Sequence, residues 1–124
     1  MNVLIVEADA NLATIWRRHL EREGCSVDHA DSHTTAISKL RFGGYDALVL
    51  DLDLPDSAVF AISDFATYRN PDIAIIVVNA NSFFSDGSIF DVIPNVRSHL
   101  QAPVSPGDLA AVVGHYGRSA SLRG

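Results

Sequence analysis

At 124 residues with 48% hydrophobic side chains, the chain has material for one domain with a single core and none for a second. Its formal net charge of −6, with Lys39 the one lysine, supplies no clustered cationic face for a phosphate backbone, so nucleic acid is not an expected partner. A lone cysteine, Cys25, excludes an internal disulfide framework, and the opening apolar run Val3 to Val6 is too short for a signal-peptide core or membrane span; a cytoplasmic protein without membrane contact is expected.

Short apolar runs alternate with stretches of helical period, which predicts repeated βα units around a parallel sheet covered on both faces. Asn2 to Val6 reads as the first strand. Asp9 or Asn11 can cap the helix behind it, where Leu12, Ile15, Trp16, His19 and Leu20 share a stripe until Gly24 ends it. Cys25 to Ala30 is an edge-like strand, with Cys25 as core filling. Ser32 can cap a second helix that turns Ala36, Ile37 and Leu40 inward and closes at Gly43-Gly44. Tyr45 to Leu50 is the third strand. Asp56 or Ser57 is the predicted cap of the third helix, whose apolar side is Val59, Phe60, Ile62, Phe65 and Ala66; Asn70-Pro71 ends it. Ile73 to Val78 is the most apolar strand. Residues 81–95 are interrupted by Gly87 and Pro94, which leaves room for a short fourth helix. Val96 to Gln101 is the fifth strand. Ser105 caps a fifth helix with Pro106 at its first position and Leu109, Val112, Val113 and Tyr116 buried. The folded domain is thus expected over residues 1–117, with 118–124 a disordered tail.

Five such units with right-handed crossovers fit a doubly wound, three-layer αβα fold of flavodoxin-like order 2-1-3-4-5. Strands one and three then flank the switch point, and the loops after Val6 and Leu50 meet. The run Ala47-Leu48-Val49-Leu50 delivers Asp51 to the sheet edge where parallel sheets bind ligands. Glu7 and Asp9 follow strand one, and Asp51 and Asp53 follow strand three, so as many as four carboxylates crowd one end. Like charges a few ångströms apart repel by roughly 4 kcal/mol at an effective dielectric near 20, and Mg²⁺ is the usual remedy. Acids after strands also cap helices, which suffices for Asp9 and Asp56 but not for Glu7 and Asp51. His19, His29, His33 and His115 show no metal-ligand spacing. Trp16 reads as helix packing.

On Val3-Leu4-Ile5-Val6-Glu7 and Asp51-Leu52-Asp53-Leu54-Pro55, the chain resembles the receiver domain of two-component response regulators over residues 2–116. The resemblance implies that Asp51 is the phosphoacceptor. It also implies an Mg²⁺ site made by acids after strand one, Asp51 and the main-chain carbonyl of Asp53. This chain departs from the pattern in three places. Ala8 replaces the second acid, leaving Glu7 and Asp51, with Asp53 assisting, as a weak site. Asn79, after Ile76-Val77-Val78, stands at the switch Thr or Ser; its amide can donate to a phosphoryl oxygen but is larger. Ala102, in Gln101-Ala102-Pro103, stands where the family has a lysine, and phosphoryl transfer depends on cations facing the phosphoryl oxygens. Lys39 and Arg97 are expected too far away to replace it. His99 resembles the family's rotating aromatic, a second switch position, and reads equally as a solvated strand residue.

The resulting expectation is a stand-alone, non-enzymatic receiver in phosphorelay signal transduction. It would act through protein contacts, its partner a histidine kinase or phosphotransfer protein, with phosphorylation of Asp51 impaired. The alternative is a pseudo-receiver that binds partners independently of phosphate. Asp51-x-Asp53 also looks like the acid pair of haloacid-dehalogenase-type phosphohydrolases, but the downstream cation and further acids of those enzymes are missing. A flavin carrier is disfavoured because Glu7-Ala8-Asp9 would repel its phosphate. The resemblance further implies docking or a homodimer through helix four, strand five and helix five, where Phe83, Phe84, Ile89, Phe90, Val104 and Tyr116 fall.

Overall fold

The computed structural model describes residues 1–78, 93–101 and 103–123. Its elements in chain order are β1 (Asn2–Val6), α1 (Ala10–Arg22), β2 (Ser26–Ala30), α2 (His33–Phe42), β3 (Ala47–Asp51), α3 (Asp56–Arg69), β4 (Ala74–Val78), β5 (Val96–Leu100) and α4 (Pro106–Arg123). The strands form one parallel sheet of order β2-β1-β3-β4-β5, the order expected from the sequence. Of residues 81–95, where a short fourth helix is expected, 81–92 lie outside the described ones, and Ile93 to Asn95 form a turn rather than helix.

Every residue of β3 and β4 is buried, as an uninterrupted apolar strand requires when helices cover both faces of its sheet. Alternation along the strands divides the core. Leu4, Val6, Leu48, Leu50, Ile75 and Val77 face Leu40 of α2 and Val59, Ile62 and Ala66 of α3. Val3, Ile5, Val49, Ile76 and Val78 face Trp16 and Leu20 of α1 and Leu109 and Val113 of α4. Each fully buried Leu or Ile side chain contributes about 1.5–3 kcal/mol, which makes the sheet centre the rigid platform for whatever its C-terminal edge carries. No described helix is long and apolar enough to cross a membrane.

Three local expectations are corrected. The buried line of α1 is Ala13, Trp16 and Leu20, and Ile15 is 44% exposed. Ile15 lies about a third of a turn round from the line centred on Trp16 at 3.6 residues per turn. Asp56 and Ser57 do not cap α3: Pro55 occupies the N-cap without a side-chain bond, and its carbonyl accepts from the Ala58 and Val59 N–H groups. The disordered tail after Gly117 is replaced by helix as far as Arg123. Gly117 is buried there, and a Cβ on it would run into the Met1 sulfur, so the glycine permits close packing rather than ending the helix. One glycine costs a helix about 1 kcal/mol, too little to stop one already packed on a sheet. Gly24, by contrast, is a true stop: its φ of +88° is left-handed, and its N–H closes on the Glu21 carbonyl.

Val104 and Tyr116 are half buried against the α1/α4 side of the core rather than standing free. Phe83, Phe84, Ile89 and Phe90 lie outside the described residues.

Candidate functional site

In the parallel register Val6 pairs with Leu50, so the next residue of each strand path, Glu7 and Asp51, leaves the sheet side by side. Both are nearly inaccessible, at 3% and 4% exposure. Charged carboxylates are seldom so buried without a compensating partner. The Asp51 Oδ1 accepts the Asp53 N–H at 2.9 Å, a tight turn that orients the carboxylate at the strand tip. The Leu52 N–H continues the ladder to the Val78 carbonyl at 3.0 Å, tying that turn to β4.

Glu7 is held more elaborately. Its N–H donates to the Ala30 carbonyl at 3.0 Å, and its carbonyl accepts from His29 Nε2 at 2.7 Å. Its Oε1 accepts the Asp9 N–H at 3.0 Å, whereas Oε2 is buried with no donor to meet it. Burial chiefly pushes the Glu7 carboxyl up to about 7; the Asp9 N–H works against this, and hydrogen bonding to and repulsion by Asp51 add to it. Two ionised carboxylates have no proton to share, so a bond between them requires a proton on one of the pair.

Asp9 is taken by its helix: Oδ1 accepts from Asn11 N at 3.0 Å and Leu12 N at 3.2 Å, capping α1 as expected. Asp53 is exposed, and partial burial followed by the charge of Asp51 raises its carboxyl above the usual carboxylate range. Among the described residues no three of His, Cys, Asp and Glu converge as a metal-binding group. Asp53 lies exposed beside the pair, close enough for the charge of Asp51 to act on its carboxyl, whereas Glu7 and Asp51 are the buried members. The donor set that remains is two buried carboxylates, one with an orphaned oxygen. That set fits a hard oxygen-seeking cation with several open positions.

No lysine or arginine among the described residues pairs with Glu7, Asp9 or Asp53. The Arg17–Glu21 contact of 3.4 Å lies along exposed α1, and Arg97 Nη1 donates to the Pro94 carbonyl at the opposite end of β5. Residues 79–92 and 102 contain neither lysine nor arginine. His99 sits in β5, half buried and in register with Val77. Asn79 and Ala102 lie outside the described residues.

His29 is the site residue that sequence reasoning missed. Considered only for metal spacing, it had no visible role. The signal lay in the strand order, because β2 ends beside β1 and brings residue 29 level with Ile5, two residues before Glu7.

Comparison with known proteins bears on this edge. A family model described as "Response regulator receiver domain" matches residues 3–112. The chain is 28% identical over 126 residues to hybrid signal transduction histidine kinase L of Dictyostelium discoideum, covering 94% of this chain and 7% of that protein. Among solved structures, a CheY-like response regulator receiver domain protein from Methanospirillum hungatei JF-1 superposes with a TM-score of 0.83 at 22% identity, covering 99% of this chain and 98% of the other. Response regulator protein TrrA from Thermotoga maritima, solved in complex with Mg(2+)-BeF, gives 0.76 at 20% identity, covering 93% and 97%.

Proposed function

The chain belongs to the response regulator receiver domain family, and from that premise we propose that it accepts a phosphoryl group on Asp51 through a site weakened in charge balance. The observation that carries this reading is the buried pair of Glu7 and Asp51 at the end of β1 and β3, the switch point of the sheet.

Asp51 is oriented by the Asp53 N–H for in-line attack on phosphorus. The new bond is Asp51 oxygen to phosphorus, and the bond broken is that to the leaving nitrogen or oxygen of the donor. The donor proposed is a histidine kinase or phosphotransfer protein, the partner class of receiver domains. Glu7 and Asp51 would hold Mg²⁺, which the TrrA structure contains as Mg(2+)-BeF, and the ion would supply positive charge to the phosphoryl oxygens. Glu7 must first release its proton, since a carboxylate binds a cation only when ionised.

The weakness is quantitative. A phosphoryl group adds about −1.5 to −2 charges at pH 7, beside Glu7 and Asp53, with which no lysine or arginine pairs among the described residues. Ala8 removes one metal ligand and Ala102 one cation from the family pattern. Asp51 phosphorylation is therefore proposed to be slow and shallow, and the domain to signal by protein contacts without turnover of its own. A phosphate-independent module is the competing reading, favoured by the same shortage of cations.

Incubation with a small phosphodonor and Mg²⁺, read by intact mass, separates them. The proposal expects slow, substoichiometric gain of one phosphoryl group, abolished in Asp51→Asn. No gain at any donor concentration would leave the phosphate-independent module.

A further inference from the structure

We infer that His29 is a positioning residue for the acid pair, its ring holding the Glu7 main chain so that the Glu7 carboxylate meets Asp51; this rests on the function proposed above. The end of β2 grips Glu7 on both sides. The Glu7 N–H makes the last bond to β2, to the Ala30 carbonyl. The next group along, the Glu7 carbonyl, lies past the paired residues, since the β1–β2 register closes at Val6 and Ala30. His29 Nε2 reaches it at 2.7 Å.

A carbonyl only accepts, so Nε2 is the protonated nitrogen and the ring is the donor. The peptide fixed in this way runs on through Ala8, which has no polar side chain of its own to steady the turn, to Asp9. The Asp9 N–H in turn meets Glu7 Oε1. A tilt of that peptide would move this donor and the Glu7 carboxylate together, and with them the orphaned Oε2. Groups that hold a ligand in place from behind govern metal affinity nearly as strongly as the ligands.

The test compares His29→Leu, which keeps bulk and removes the donor, with His29→Gln, which keeps an N–H donor of similar reach. Asn95→Ala serves as the control: Asn95 Nδ2 donates to the Pro71 and Ile73 carbonyls beside the start of β4, so its loss weakens the fold away from the acids. Hydrogen-exchange protection of the Asp9 amide, measured without metal or phosphate, is expected to fall about tenfold in His29→Leu and to recover in His29→Gln. Mg²⁺ affinity is expected to weaken about tenfold in His29→Leu, to recover in His29→Gln, and to hold steady in Asn95→Ala. Wild-type protection and affinity in His29→Leu would overturn the inference. So would failure of glutamine to rescue, or an equal loss in Asn95→Ala. If the wild-type chain neither binds Mg²⁺ nor takes up phosphate, the proposed function fails, and the Asp9 amide alone decides whether His29 holds the turn.

Discussion

Glu7 shows how a single carboxylate can work against the fold that positions it. Its folded carboxyl, raised to about 7 from an ordinary 4.5, keeps a proton that the unfolded chain has already lost in the window between those values. Folding therefore gains from Glu7 at low pH, and the gain is lost as pH rises through about 7. Glu7→Gln retains an oxygen for the Asp9 N–H and supplies an amide toward Asp51, with no charge to bury. The variant is expected to be more stable than wild type by roughly 1–3 kcal/mol at pH 8, after allowance for screening, and the difference should shrink toward pH 5. Denaturant melts of both proteins across that range measure it; a difference that stays flat or grows toward low pH would refute the assignment. Glu7 and Asp51 were legible from sequence because each directly follows an apolar strand. The hold of His29 on Glu7 was not, because it depends on which strands lie next to each other and in what register.

Helix ends divided into those legible locally and those that were not. Asp9 and Ser32 cap α1 and α2 through side-chain oxygens to N–H groups two or three residues ahead, a short-range geometry visible in residue type and spacing. The start of α3 depends on the main-chain carbonyl of Pro55, which residue type does not reveal. The end of α4 was misjudged because Gly117 carries two opposite meanings, helix stop and close-packing site, and only the Met1 contact decides between them. Ile15 is apolar yet 44% exposed, because its angle around α1 carries it off the line of Ala13, Trp16 and Leu20. The cap on α1 also holds the turn that bears Glu7, so Asp9→Ala is expected to cost about 1 kcal/mol of stability. A thermal melt beside Asn11→Ala, which leaves the cap oxygen in place, checks this; equal losses in the two variants would contradict it.

Across the whole molecule, the strand order, both core layers and the place of the site follow from one repeated pattern: an apolar strand, an acidic or polar turn, and a helix with one buried side. The pattern survives at low identity because it depends on burial rather than on particular side chains, and the 22% identity behind a TM-score of 0.83 illustrates this. Chemistry is less tolerant. It depends on a few positions at the sheet edge, and this chain keeps Asp51 there, while its sequence departs from the pattern that the resemblance implies at Ala8, Asn79 and Ala102. Four of its basic residues, Arg22, Lys39, Arg41 and Arg69, lie in the last turns of α1, α2 and α3, where they favour the helix dipole. The most direct measurement is therefore the rate of Asp51 phosphorylation by a small phosphodonor with Mg²⁺ in wild type and in Ala102→Lys. A shortage of positive charge at the rim predicts at least a roughly tenfold gain on restoring the lysine; a wild-type rate already equal to that of Ala102→Lys would contradict it.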